Sequence, residues 1–319
     1  AMGLLSLSLL LGCVLSLAAQ APAAEAKAEK WTPDDVVMAE SLGDFRVSPD
    51  GKWVVWVKST ADKEKDSRVS NLFLSSLVEK KEVQLTRGSY RHASPRWSPD
   101  SQLIAFISDR PLPKENPKAA KSQLWLINPF GGEPWVAAEL PRDVRNFEWI
   151  CSHNILFAAE EDPTLYEQTL KEKKDTSQPV EDAAHTPPVR LFKLELEKKK
   201  VTRLSDNDDW IRNLALSPDG KKVVTLHERS LSYEFDQKIK PVTFLYDLVT
   251  GTRKQLFTDG KIIPTNVRWT PDSQAFYAVS EYSSHPVYRT ATINLLYFYD
   301  VAQDKVTQIG GEEAVRAVL

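Results

Sequence analysis

The chain has 319 residues, of which 42% are hydrophobic and 27% are charged. This length and this apolar content allow a large buried core and exclude an intrinsically disordered protein. The formal net charge is -3 at pH 7, and basic residues occur in short runs that nearby acidic residues offset, which argues against nucleic acid as a partner.

The first segment has the pattern of an export signal. Residues 4–19 are apolar, and the small residues in 20–24 suit a signal-peptidase site. The apolar run is shorter than the roughly 20 residues that span a bilayer, so no membrane span is expected after signal removal. We predict a signal peptide over 1–24, a linker over 25–30 and an exported protein, periplasmic or secreted. Lipid anchoring through Cys13 is the less favoured alternative.

A short helix is predicted directly after the linker. Thr32 suits the N-cap position and Pro33 the first helical position. Asp34 and Asp35 would lie in the first turn, where the helix dipole favours negative charge. The helix is predicted over residues 33 to about 41.

One phrase recurs along the rest of the chain. Its four copies are Val47-Ser48-Pro49-Asp50-Gly51-Lys52, Trp97-Ser98-Pro99-Asp100-Ser101-Gln102, Leu216-Ser217-Pro218-Asp219-Gly220-Lys221 and Trp269-Thr270-Pro271-Asp272-Ser273-Gln274. Ser48 and Ser98 are 50 residues apart, a period typical of β-propeller blades. Ser, Pro, Asp and Gly in this order favour a type I turn. A degenerate fifth copy is expected near residues 150–152.

The residues around these turns predict strands. Apolar runs such as 53–57 and 103–107 follow the turns and suit strands that are covered on both faces. The charged outer strands suit a propeller rim, which must resist pairing with other chains. Tryptophans are expected at comparable places in the units as blade-packing residues; they are Trp97, Trp125, Trp149, Trp210 and Trp269.

The fold prediction is an all-β, TolB- or WD40-like β-propeller over residues 31–319. We expect about five blades of an incomplete seven- or eight-bladed ring, with a charged insertion at about 159–189. Residues 315–319 have the pattern of 211–215, the strand before a turn, so the sequence is expected to be a fragment that stops in mid-blade. A short protein that closes as a five-bladed ring or by dimerisation stays open, and the oligomeric state is not predicted.

The opening segment resembles a known family. Residues 31–37 followed by 44–51 are similar to the start of bacterial S9 serine peptidases, the prolyl oligopeptidase group, particularly its acylaminoacyl-peptidase and dipeptidyl-peptidase-5-like branch. The later turns extend the resemblance over 31–319. It implies a propeller that restricts access to a following α/β-hydrolase domain, which cleaves short peptides through an acyl-enzyme. A TolB-like propeller that binds proteins of the cell envelope, without enzymatic activity, is the alternative.

The sequence contains no G-x-S-x-G elbow, the motif in which this family carries its nucleophile. The chain alone is therefore expected to be inactive, with its catalytic groups supplied from outside it. No histidine stands in a recognisable triad setting, and rim or loop positions are expected for all of them; they are His92, His153, His185, His227 and His285.

Glu160 and Glu161 are the candidate substrate-binding residues. Paired carboxylates can hold the α-ammonium group of a peptide by charge-assisted hydrogen bonds. The alternative is that these residues begin a solvated loop. The sequence has no metal-binding or nucleotide-binding motif, so no cofactor is expected.

Overall fold

A computed structural model describes residues 30–112, 120–161, 164–175, 184–283 and 292–310. The predicted signal peptide, nearly all of the predicted linker and residues 315–319 lie outside the described residues. The chain divides into two compact units, Ala1–Met38 and Ala39–Leu319.

The described part of the first unit contains the helix α1 (Pro33–Met38). The Thr32 hydroxyl accepts a hydrogen bond from the Asp35 backbone N–H at 3.2 Å, and the Asp35 carboxylate accepts one from the Thr32 backbone N–H at 2.8 Å. This reciprocal pair closes the N-terminus of the helix. The helix ends before the predicted residue 41, because the backbone is already in a strand from Ser41.

The described residues of the second unit form five blades, each with four antiparallel strands in sequence order. The strands are, in blade 1, β1 (Ser41–Val47), β2 (Trp53–Asp62), β3 (Ser67–Ser76) and β4 (Glu82–Gln84); in blade 2, β5 (His92–Trp97), β6 (Ile104–Ser108), β7 (Gln123–Ile127) and β8 (Trp135–Val136); in blade 3, β9 (Val144–Cys151), β10 (Asn154–Glu160), β11 (Val189–Glu195) and β12 (Lys200–Arg203); in blade 4, β13 (Trp210–Leu216), β14 (Lys222–Glu228), β15 (Val242–Asp247) and β16 (Arg253–Leu256); and in blade 5, β17 (Pro264–Trp269), β18 (Ala275–Tyr282), β19 (Ile293–Asp300) and β20 (Lys305–Ile309). The predicted all-β propeller of about five blades is confirmed.

Blades 3 and 4 carry the remaining helices of the described residues. Residues 161–188 connect β10 to β11 and include α2 (Leu165–Glu172). The connection from β14 to β15 includes α3 (Tyr233–Asp236). A parallel bridge between Val189 and Trp210 joins the sheets of blades 3 and 4.

The predicted turns share one set of hydrogen bonds. In blade 1 the Ser48 hydroxyl donates to the Asp50 carboxylate at 2.5 Å, and the Gly51 N–H donates to the Ser48 carbonyl at 2.9 Å. The Trp53 N–H donates to the Ser48 hydroxyl at 3.0 Å. The fourth residue of the turn has a positive φ, 71° at Gly51, which explains the glycine in the repeat. These local bonds fix the register of the first two strands.

Tryptophans just before a turn join neighbouring blades. Each indole N–H donates to a backbone carbonyl in the preceding blade: Trp97 to Arg46 at 2.9 Å, Trp149 to Arg96 at 3.1 Å and Trp269 to Ala215 at 2.9 Å. The expectation of five equivalent tryptophans is wrong for two of them. Trp125 lies on the third strand of blade 2 and Trp210 begins β13, because spacing alone does not distinguish these positions.

Candidate functional site

The first strands of the blades form the inner edge of the propeller. β1, β5, β9, β13 and β17 contact one another in this order. Each of them contains a bulge, at which its register with the second strand shifts by one residue. Bulges of this kind change the direction of side chains and are common beside binding sites.

One position on these strands carries most of the charge at the inner edge. It lies two residues before each turn and is occupied by the residues that we call the axial ring: Arg46, Arg96, Glu148, Ala215 and Arg268. Burial, together with the charges of Arg96 and Arg268, lowers the pKa of Arg46. Burial also raises the pKa of Glu148, although Arg96 lies 3.5 Å from its carboxylate and opposes the rise. Three guanidinium groups thus face the Glu148 carboxylate, and Asp44, 3.3 Å from Arg46, adds a second carboxylate beside them.

The predicted substrate residues lie at another place, at the end of β10. Glu160 and Glu161 both line a cavity of about 490 Å³ between blades 2 and 3. The connector 139–142 forms one wall, and Phe157 and Phe192 form part of another. The structure therefore brings the two carboxylates to one cavity.

Both carboxylates are already paired with arginines. Glu160 lies 2.7 Å from Arg145 and 3.7 Å from Arg142. Glu161 pairs with Arg203 at 2.6 Å and makes a second, shorter contact with Arg190. A peptide ammonium group would have to compete with these guanidinium groups. The predicted role of the two glutamates stays a prediction.

The cluster also anchors the helix of the insertion. Arg142 donates to the Glu167 carboxylate at 2.5 Å. Glu167 in turn accepts from the backbone N–H of Thr164, the N-cap of α2, at 2.7 Å. Hydrogen bonds from Arg142 lower the pKa of Glu167. Sequence reasoning missed the arginines, because they come from a connector and three different strands.

A buried hydroxyl, a buried imidazole and a partly exposed carboxylate meet between blades 3 and 4. The His227 ring lies 2.6 Å from the Asp209 carboxylate and 2.9 Å from the Thr225 hydroxyl. Burial raises the pKa of Asp209, but hydrogen bonds from His227 and Asn207 outweigh it and leave the pKa below its ordinary value. The order of groups is that of a hydrolase triad. Thr225 and His227 are 0% exposed, so the arrangement is structural.

The expectation of rim or loop histidines is correct for some of them and wrong for others. His153 is exposed in the turn between β9 and β10 and lies 3.4 Å from Glu197. His185 is exposed within the connection from β10 to β11. His92 and His227 are instead buried, at 2% and 0% exposure, because both lie on strands between blades. His285 lies outside the described residues.

Metal clusters and membrane-spanning helices are both absent from the described residues. Within them, no three histidine, cysteine, aspartate or glutamate residues are grouped so that they could hold a metal ion. None of the helices in the described part of the chain is long and apolar enough to cross a membrane.

Sequence comparisons identify peptidases as relatives. No family model matches the chain. The uncharacterized peptidase YuxL of Bacillus subtilis is 35% identical over 118 residues, which cover 37% of this chain and 17% of that protein. Dipeptidyl-peptidase 5 of Porphyromonas endodontalis is 23% identical over 278 residues, covering 76% of this chain and 37% of that protein. The chain thus corresponds to less than half the length of these relatives.

Solved structures with similar folds include peptidase propellers. An acylaminoacyl peptidase of Pyrococcus horikoshii has a TM-score of 0.59 and 16% identity, over 86% of this chain and 40% of that chain. The β-propeller domain of the Trilobed protease from Pyrococcus furiosus has a TM-score of 0.51 and 16% identity, over 85% and 70%. A putative TolB from Agrobacterium tumefaciens has a TM-score of 0.53 and 14% identity, over 84% and 80%. At these identities the likeness shows the fold.

The sequence relatives and the shared fold agree with each other and with the resemblance read from the opening segment and the turns. The homologues of this chain are S9-family peptidases, and the chain is a β-propeller of the kind that peptidases of this family carry.

Proposed function

We propose that this propeller selects peptides for a serine peptidase domain of the S9 type, in a protein that is exported to the periplasm or secreted. The chain itself is inactive in this proposal, and the nucleophile, base and oxyanion hole come from the hydrolase domain. The observation that carries the proposal is the axial ring, which places Arg46, Arg96 and Arg268 on the inner edge of a propeller with peptidase homologues.

The axial ring also gives the selection a direction. With Asp44 included, this surface has three guanidinium groups and two carboxylates, and its net positive charge attracts anionic groups and repels cations. Extended peptides with acidic side chains should therefore pass the inner edge more readily than basic ones. A folded protein cannot follow an extended peptide without unfolding.

The test uses the full-length product of the gene that encodes this chain. We expect it to hydrolyse short chromogenic peptides. A folded protein that contains the same peptide sequences should stay intact. Arg96→Gln should lower kcat/KM for an acidic peptide by about tenfold relative to a neutral one, which corresponds to one charge-assisted contact. Arg91→Gln, an exposed arginine outside the axial ring, is the control and should leave both values unchanged.

The predicted ammonium site belongs to the same proposal. Glu160 and Glu161 would bind the N-terminal ammonium group of a peptide in their cavity. This ammonium group would replace the arginine guanidinium groups that pair with the two carboxylates. Glu160→Gln should then raise KM about tenfold for a peptide with a free N-terminus and leave KM unchanged for its N-acetylated form. An equal change for both peptides would contradict this part of the proposal.

A second candidate function is a non-enzymatic, TolB-like propeller that binds proteins of the cell envelope. The observation that favours it is the likeness to the putative TolB, 80% of whose chain is covered. Reading the coding sequence beyond codon 319 separates the two. A G-x-S-x-G elbow in the same frame supports the peptidase, and a stop codon without that motif supports the binding protein.

A further inference from the structure

A small cavity lies between blades 1 and 2 and shares no lining residue with the Glu160 cavity or the axial ring. Its volume is about 190 Å³. The walls come from the end of β4, the connector from β4 to β5, the start of β5, a residue after β6 and the two residues before β8. The polar and charged side chains in these walls include Arg87, Tyr90, His92, Arg110 and Glu133.

His92 is the unusual member of this wall. Its side chain is 2% exposed, and neither ring nitrogen has a hydrogen-bond partner among the described residues. Buried polar atoms in proteins are nearly always hydrogen-bonded. The backbone around the ring is held firmly, because the Ser70 hydroxyl donates to the His92 carbonyl at 2.8 Å and accepts from its N–H at 3.0 Å. The His92 and Phe106 rings pack in a T-shaped arrangement, with their centroids 5.4 Å apart.

Positive charge stands next to this imidazole. The Arg110 guanidinium lies over the Trp125 ring, 5.3 Å from its centroid. Within the described residues, neither Arg110 nor Arg87 has a carboxylate in ion-pair distance. Burial and the charge of Arg110 lower the pKa of His92 to about 4. At neutral pH the wall therefore presents guanidinium groups and an uncharged imidazole, which can donate one hydrogen bond.

The buried His227 of the junction between blades 3 and 4 differs from His92 in place and in bonding. His227 lies on the second strand of its blade, ten residues after the turn serine Ser217, and its ring bonds to the Asp209 carboxylate at 2.6 Å. His92 lies on the first strand of its blade, six residues before Ser98, and its ring bonds to no carboxylate among the described residues. Glu133 is the one acidic residue among the named wall residues, and two arginines oppose it.

We propose that this cavity binds a small organic carboxylate. One carboxylate oxygen pairs with Arg110, and another accepts a hydrogen bond from His92. A water molecule takes roughly 30 Å³ in the liquid, so the cavity has the volume of a few waters and suits an acid of few carbon atoms. Charge-assisted hydrogen bonds of this type are the strong ones in protein sites.

The test follows the His92 ring by NMR in protein with isotope-labelled histidine, titrated with succinate at pH 7. We expect saturable shifts of the His92 ring signals and a His92 pKa that rises above about 4 when succinate is bound. Arg110→Gln should weaken binding at least tenfold. Arg91→Gln, an exposed arginine on the edge of the same blade that does not line the cavity, should bind as the unchanged protein does.

Three results would overturn the proposal: no saturable shift with succinate, equal binding in Arg110→Gln, or the same shift with sulfate at equal ionic strength. Arg110 is half-buried, so the variant is expected to fold, and the remaining histidine signals report whether it does. The readout needs no peptidase activity. Its outcome is therefore independent of the proposed function.

Discussion

The junction between blades 3 and 4 and the junction between blades 1 and 2 have the same backbone arrangement. A parallel bridge joins Val189 to Trp210 in the first and Ser70 to Arg91 in the second. In each, a hydroxyl in the connector accepts from a third-strand N–H at 2.9 Å: Ser205 from Leu191, and Thr86 from Leu72.

The side chains placed on this arrangement differ. At the 3/4 junction, Asn207 donates to the Val189 carbonyl at 2.9 Å and to the Asp209 carboxylate at 2.8 Å, and Asp209 holds His227. At the 1/2 junction, the positions of Asn207 and Asp209 are taken by Gly88 and Tyr90. One junction is a closed hydrogen-bond network, and the other contains a cavity and an unpartnered histidine. The repeat therefore determines the backbone of a junction, whereas the side chains inside it vary. These side chains can form a structural network or line a binding cavity.

Removal of the carboxylate from the closed network should have the largest effect. Asp209→Ala leaves the buried His227 ring and Asn207 without their partner, and we expect a loss of about 3 kcal/mol in the free energy of unfolding. Urea denaturation measures it. The control is Asp208→Ala, whose side chain is 96% exposed and pairs with Arg190 at 3.1 Å; it should cost less than about 1 kcal/mol. Similar losses for both variants would contradict a buried network.

Acid should act on the two junctions in different pH ranges. The His92 pKa is lowered to about 4 from 6.5, so the unfolded chain binds a proton that the folded chain does not. The stability that depends on uncharged His92 is complete above pH 6.5 and falls as the pH drops towards 4, by up to about 3 kcal/mol. The Asp209 pKa lies below 3.8, so its contribution is lost only below about pH 4.

The measurement is denaturation between pH 7 and 4 in phosphate and without organic acids, on the unchanged protein and on His92→Leu. The variant should lose less stability over this range than the unchanged protein. Leucine suits the apolar neighbourhood of Phe106 and leaves no unpaired polar atom. Parallel curves for the two proteins would show that His92 is not the group that titrates.

The fold could be predicted because its determinants are local. Each turn is built by hydrogen bonds between residues at most five apart, such as Ser48 to Asp50 and Trp53 to Ser48. The repeat spacing then fixes the number of blades. The axial ring lies at a regular place in the sequence, two residues before every turn. No residue pattern marks that position as functional, because the direction of its side chains depends on the bulges.

The candidate sites depend on contacts that the sequence does not display. Glu160 bonds to Arg145, 15 residues away, and Glu161 to Arg203, 42 residues away. Neither distance matches a strand or helix period, so the pairing of both carboxylates could not be read from the chain. The burial of His227 likewise depends on Asp209, 18 residues away in the connector. Such contacts follow from blade packing and not from the repeat.

The smallest loss of stability should come from removing the connector hydroxyl that both junctions contain. Ser205→Ala and Thr86→Val each remove the hydroxyl that accepts from a buried third-strand N–H, so each should cost about 1.5 kcal/mol in urea denaturation. The costs should agree within about 0.5 kcal/mol if these hydroxyls belong to the common backbone arrangement. Both hydroxyls also donate to an asparagine, Ser205 to Asn207 at 2.7 Å and Thr86 to Asn71 at 3.2 Å, but only Asn207 bonds onward to Asp209. A cost at Ser205 that is larger by 1 kcal/mol or more would place it inside the cooperative network of the 3/4 junction, and the common arrangement would then be limited to the backbone bridges.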